Sequence, residues 1–136
     1  MPKFAAIQVG DKAHLNRIIT KEDIEIFAGL TGDRNPLHLD PEYAKKMDFG
    51  SPVVHGMLTA SFLSTLIGMV VPGEGSILTS VKLDFKKPVI VNDALDVTIE
   101  VTKKIHLSRH IFVNATITNQ RAEVVAAGVL KSICPG

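Results

Sequence analysis

The sequence predicts an α+β fold: an antiparallel sheet curved around one long central helix. Three observations predict it. Residues 55–70 hold Met57, Leu58, Phe62, Leu63, Leu66, Ile67, Met69 and Val70, which leaves almost no polar face; a helix apolar all round is a buried helix. From Ser76 onward the apolar residues recur at every second position, the period of strands. Those strands follow one another through short links, which favours antiparallel neighbours. The chain has 136 residues, and a single domain over 1–136 can bury a core of this kind without disulfides or metals.

Taken in order, residues 12–19 alternate loosely and predict a short edge strand. Thr20 with Asp23 forms a capping pair, with Asp in place of the usual Glu or Gln. Ile24, Phe27, Ala28 and Leu30 then follow helical spacing, and Gly32 ends that helix. Asn35-Pro36 is expected to make the chain turn, since the residue before proline is extended. Asp40 caps a short helix whose first residue is Pro41. Pro72-Gly73-Glu74-Gly75 stops the long helix. Strands are predicted over 76–85, 96–102, 110–119 and 123–133, with a hairpin turn at Asn119-Gln120-Arg121.

Composition narrows the function. Net charge is +1, which offers nucleic acid or an acidic membrane surface no electrostatic attraction. The apolar run Val53–Val71 is broken by His55, Gly56, Thr59, Ser61, Ser64, Thr65 and Gly68, whereas a bilayer span needs about 20 largely apolar residues. The N-terminus lacks the apolar core of a signal peptide. The one cysteine, Cys134, fits a reducing compartment, so a cytoplasmic location is expected. No Cys/His cluster has metal-ligand spacing, and Gly73-x-Gly75 is a turn rather than a phosphate loop. No metal and no cofactor are expected.

Chemistry points to Thr31-Gly32-Asp33-Arg34-Asn35-Pro36-Leu37-His38. A carboxylate and an imidazole stand five residues apart on a loop stiffened by proline, and imidazole titrates near neutrality. The pair also has a plain structural explanation, with Asp33 as turn cap and His38 as a hydrogen-bonded polar residue. Val54-His55-Gly56-Met57 lies at the head of the long helix, where a backbone N–H and the helix dipole favour negative charge. His55 is read as structural, fixing the start of that helix. Lys86-Lys87 reads as an exposed pair at a strand end, within reach of a phosphate group.

Phe27-Ala28 through Asp33-x-Asn35-Pro36-Leu37-His38 resembles the hydratase-2 motif of the MaoC-like, (R)-specific enoyl-CoA hydratases. Val53-Val54-His55-Gly56-Met57-Leu58 and Phe85-Lys86-Lys87-Pro88-Val89 carry the resemblance further. It implies a hot-dog fold of the short, single-domain type. It implies Asp33 and His38 as the catalytic pair that activates water, and Gly56 as the backbone donor to the thioester carbonyl. Asn35 and Ser64 match positions expected on the substrate side. It implies an acyl-CoA or acyl-carrier-protein thioester as substrate and a homodimer as the assembly. The alternatives are a 3-hydroxyacyl-thioester dehydratase using the same site in reverse, a hot-dog thioesterase, and a non-catalytic acyl-binding module.

Overall fold

A computed structural model describes residues 3–136. In chain order it contains α1 (Lys3–Ala6), β1 (Lys12–Ile18), α2 (Lys21–Thr31), α3 (Pro36–Leu39), α4 (Pro41–Lys46), α5 (Gly56–Met69), β2 (Ile77–Phe85), β3 (Ala94–Ile105), β4 (His110–Thr118) and β5 (Val124–Ile133). Strands alternate sides every residue, so β3 and β4 send Val97, Ile99, Val101, Ile111, Val113 and Ile117 to one face, where all are buried. That face packs against Leu63, Leu66 and Ile67 of α5, which are also buried. Each such side chain contributes about 1.5–3 kcal/mol relative to exposure. No described helix is long and apolar enough to cross a membrane.

The sheet order is β1-β3-β4-β5-β2, antiparallel throughout. β2 therefore lies at the far edge from its sequence neighbour β3. The link between them, residues 86–93, passes the start of α5. There Val54 N–H donates to the Val89 carbonyl at 2.7 Å and Val91 N–H donates to the Pro52 carbonyl at 3.0 Å. Asp93, buried, clamps this link. Its carboxylate accepts from Ile90 N–H at 2.9 Å and from the Gln120 side-chain amide at 2.8 Å. The predicted hairpin turn closes with Asn119 N–H donating to the Glu123 carbonyl at 3.0 Å. The Glu123 carboxylate, held by Lys87, Asn119 and Arg121, is lowered to about 2.

Two expectations need correcting. Pro36 does not merely turn the chain: it opens the short helix α3, which carries His38. Proline's fixed φ suits the first helical position, and the Asn35 side chain caps that turn by accepting from Leu37 N–H at 3.1 Å. The central helix is also not buried on all sides. Met57 and Met69 are 68% and 78% exposed, and Ser61, Ser64 and Thr65 share the open side. A five-stranded sheet covers only one face of a helix, so in one chain the other face has no cover.

Candidate active site at the start of the central helix

The site is built from the ends of two helices and the loop between them. Thr20 and Asp23 form the reciprocal cap that starts α2. Gly32 ends it at φ 80°, the left-handed conformation that glycine adopts without strain. Asp33 then leaves the helix, its N–H donating to the Thr31 hydroxyl at 3.2 Å. The Asp33 carboxylate accepts from Asn35 N–H at 3.3 Å. Asn35 spends its side-chain oxygen on the cap of α3. The turn of α3 carries His38 back toward α5.

His38 is half-buried, and its Nδ1 lies 2.6 Å from the Val53 carbonyl oxygen. A carbonyl only accepts, so Nδ1 carries the proton. In the neutral ring Nε2 is then an unprotonated lone pair, which is the form a general base needs. Val53 is itself held by its N–H to the Leu37 carbonyl at 3.0 Å and by a bridge to Ile90. A ring nitrogen of His38, a ring nitrogen of His55 and a carboxylate oxygen of Asp33 all lie within 4.8 Å of one another. The two imidazoles stack at 3.9 Å and 25°. Stacked rings send their in-plane lone pairs side by side rather than toward one point. One nitrogen of each is also within hydrogen-bond distance of a carbonyl. The cluster suits proton transfer better than metal ligation.

Gly56 is the first residue of α5, and no side chain caps that end. The first N–H groups of a helix have no carbonyl one turn back to bond, and they carry the positive end of the dipole. A Cβ at position 56 would meet the Phe85 ring at 3.3 Å, so glycine also admits the close approach of Phe85. An open cleft of about 540 Å³ joins these parts, lined by Phe27, Thr31, Asp33, His38, His55, Gly56, Met57 and Phe85.

The fold thus gathers Asp33, His38 and Gly56 on one cleft. Ser64 stands eight residues beyond Gly56, which is about 12 Å along the helix. It lines a separate groove of about 240 Å³ between α5 and β2, with Met57, Ala60, Leu78, Val81 and Leu130. Met57 borders both. Lys87 pairs with Glu123, while Lys86 remains exposed. Sequence reasoning gave no site role to Phe85, which arrives from the far edge of the sheet. Its signals were its place at the end of an alternating strand and at the head of Phe85-Lys86-Lys87-Pro88-Val89, and neither assigned it to the cleft.

A family description, MaoC like domain, matches residues 4–123. An (R)-specific enoyl-CoA hydratase from Aeromonas caviae is 45% identical over 97 residues, covering 71% of this chain and 72% of that protein. One from Rhodospirillum rubrum is 36% identical over 115 residues, covering 85% and 80%. The solved (R)-hydratase from A. caviae, described as involved in PHA biosynthesis, superposes with a TM-score of 0.93 at 37% identity, over 96% of this chain and 98% of that one. An R-hydratase from Pseudomonas aeruginosa gives 0.92 at 35% identity, over 98% and 85%. With the family description running over residues 4–123 and the fold superposing on these hydratases nearly end to end, the chain belongs to the MaoC-like domain family and has its hot-dog fold.

Proposed function

We propose that this protein is an (R)-specific 2-enoyl-CoA hydratase, a hydro-lyase that reversibly adds water across trans-2-enoyl thioesters. One observation carries the reading: a half-buried histidine with its Nδ1–H committed to Val53 shares a cleft with a carboxylate and an uncapped helix start. The substrate carbonyl accepts from Gly56 N–H, so the charge that develops on the thioester oxygen meets a fixed donor and the helix dipole. Loss of one such donor costs about 2.7–4 kcal/mol in other enzymes. Water sits between the Asp33 carboxylate and His38 Nε2. Its oxygen bonds to the β-carbon as His38 takes its proton, and that proton then passes to the α-carbon. Hydroxyl and hydrogen arrive from the same side, so addition is syn. By microscopic reversibility the same groups dehydrate an (R)-3-hydroxyacyl thioester.

The acyl tail runs from Gly56 past Met57 into the groove that Ser64 lines, whose walls are mostly apolar. Asp33 and Phe85 are exposed in the single chain, and a second copy of the chain closes that side in a cytoplasmic homodimer. A thioesterase would need its water at the carbonyl carbon, whereas here the water-holding pair serves the β-carbon. Incubation with crotonyl-CoA is the direct test. The conjugated enoyl absorbance should fall with no free thiol released, and chiral analysis should give the (R)-3-hydroxy product. Thiol release or an (S) product would reject the assignment.

A further inference from the structure

His55 does more than begin a helix. It is 2% exposed, and its Nε2 lies 3.0 Å from the Asp33 backbone carbonyl, 22 residues away in sequence. Its ring lies flat against His38 at 3.9 Å and packs against Phe27 at 4.8 Å. Because a carbonyl only accepts, Nε2 carries the proton, and in the neutral ring Nδ1 is then a bare lone pair. That Nδ1 is buried without a partner, although buried acceptors are ordinarily satisfied. It also makes no bond to the start of α5, where His55 is the cap residue. A residue placed only to start the helix would be Ser, Asp or Asn, which satisfy those N–H groups directly. The ring lies under His38 instead.

We infer that His55 is a positioning residue for the hydratase chemistry: its Nε2–H tethers the loop that bears Asp33, and its ring face fixes the plane of His38. One side chain thereby sets the spacing between carboxylate and imidazole, next to the residue that supplies the oxyanion donor. The inference rests on the hydratase reading, but its structural half can be measured without turnover.

Two variants separate the two contacts. His55→Phe keeps a ring under His38 and loses the tether, while His55→Gln keeps an N–H donor and loses the ring. Both should lower kcat on crotonyl-CoA by about ten- to a hundredfold, the scale of a misplaced catalytic group, with KM changed less than twofold. Turnover within twofold of wild type in both, or a rise in KM alone, would overturn the role. Nitrogen-15 NMR of the wild-type protein supplies the second readout. His55 should show a protonated Nε2 and an unprotonated Nδ1, and the His38 ring, one sharp set of signals in the wild type, should shift or broaden in His55→Gln as its plane loosens while Val53 keeps its Nδ1 protonated. The opposite His55 tautomer, or an unchanged His38 signal in that variant, would sink the proposal even if neither variant turned over. A wild-type enzyme inert on crotonyl-CoA would instead reject the hydratase reading and leave the nitrogen signals to decide on His55.

Discussion

At the scale of single residues, the informative fact is which nitrogen of each histidine holds the proton. The Val53 carbonyl settles it for His38, and the Asp33 carbonyl settles it for His55. The consequence is a base whose lone pair need not be freed before water binds. Asp33→Asn removes the negative partner yet keeps the shape, and His38→Ala removes the base. Each should lower kcat by about a hundred- to ten-thousandfold, the usual worth of general base catalysis, with the circular dichroism spectrum unchanged. Near-wild-type rates in either would exclude the assigned role. Asp33 and His38 were legible in the sequence because a carboxylate, a proline and an imidazole share one short loop. The stack of His38 on His55 was not, since 17 residues, a helix and a turn separate them. No periodicity reports which two rings will meet.

At the scale of elements, the site depends on a segment that lines no part of its cleft. The link between β2 and β3 holds Val53 in place, and Val53 orients His38. Asp93 and Gln120 hold the link. Asp93→Ala leaves the half-buried Ile90 N–H without its acceptor, which costs at most about 1–3 kcal/mol, while the exposed Gln120 amide turns to water. The variant should melt at a lower temperature in a calorimetric scan. Well below that melting temperature, it should also turn over more slowly than wild type while KM holds. A lower melting temperature with full kcat would show that Val53 keeps its place without the clamp. The strands themselves were legible from alternation, within two or three residues at most ends. The order of the strands was not: residues 86–93 give no local sign that β2 leaves for the far edge.

For the whole molecule, the open side of α5 and the outer edge of β2 ask for a partner. Ile77, Val81 and Phe85 are 63%, 48% and 50% exposed, on a strand whose second edge is unpaired in the single chain. Such edges are sticky unless charged, bulged or covered; β2 has one bulge and two exposed charges, Lys82 and Asp84, but Phe85 joins Met57 in an exposed apolar surface where the cleft opens. Ile77→Lys, on the same edge but outside the acyl groove, should shift the sedimentation of the protein from dimer toward monomer and reduce turnover together with it. A dimer that persists with full activity would place the seam elsewhere. The sequence read α5 as fully buried because periodicity records how apolar a face is, not whether the same chain covers it.

The sheet order also dictates how such a chain reaches its final shape. β2 pairs with β5, and about forty residues separate them. Contacts that distant must close a large loop before they are rewarded, which slows folding. On the ribosome the loop of Asp33 and His38 and the apolar α5 emerge first, while most of the strands that shelter that helix follow. Between those moments the helix is a greasy segment in want of cover, the kind of transient species that aggregates or engages chaperones. The β3–β4 and β4–β5 hairpins, closed locally at Ile105–His110 and Asn119–Glu123, are the short-range pieces on which the sheet can grow, and β5 then gives β2 a strand to join. The half of the chain that holds Asp33, His38 and Gly56 is made early and is covered late.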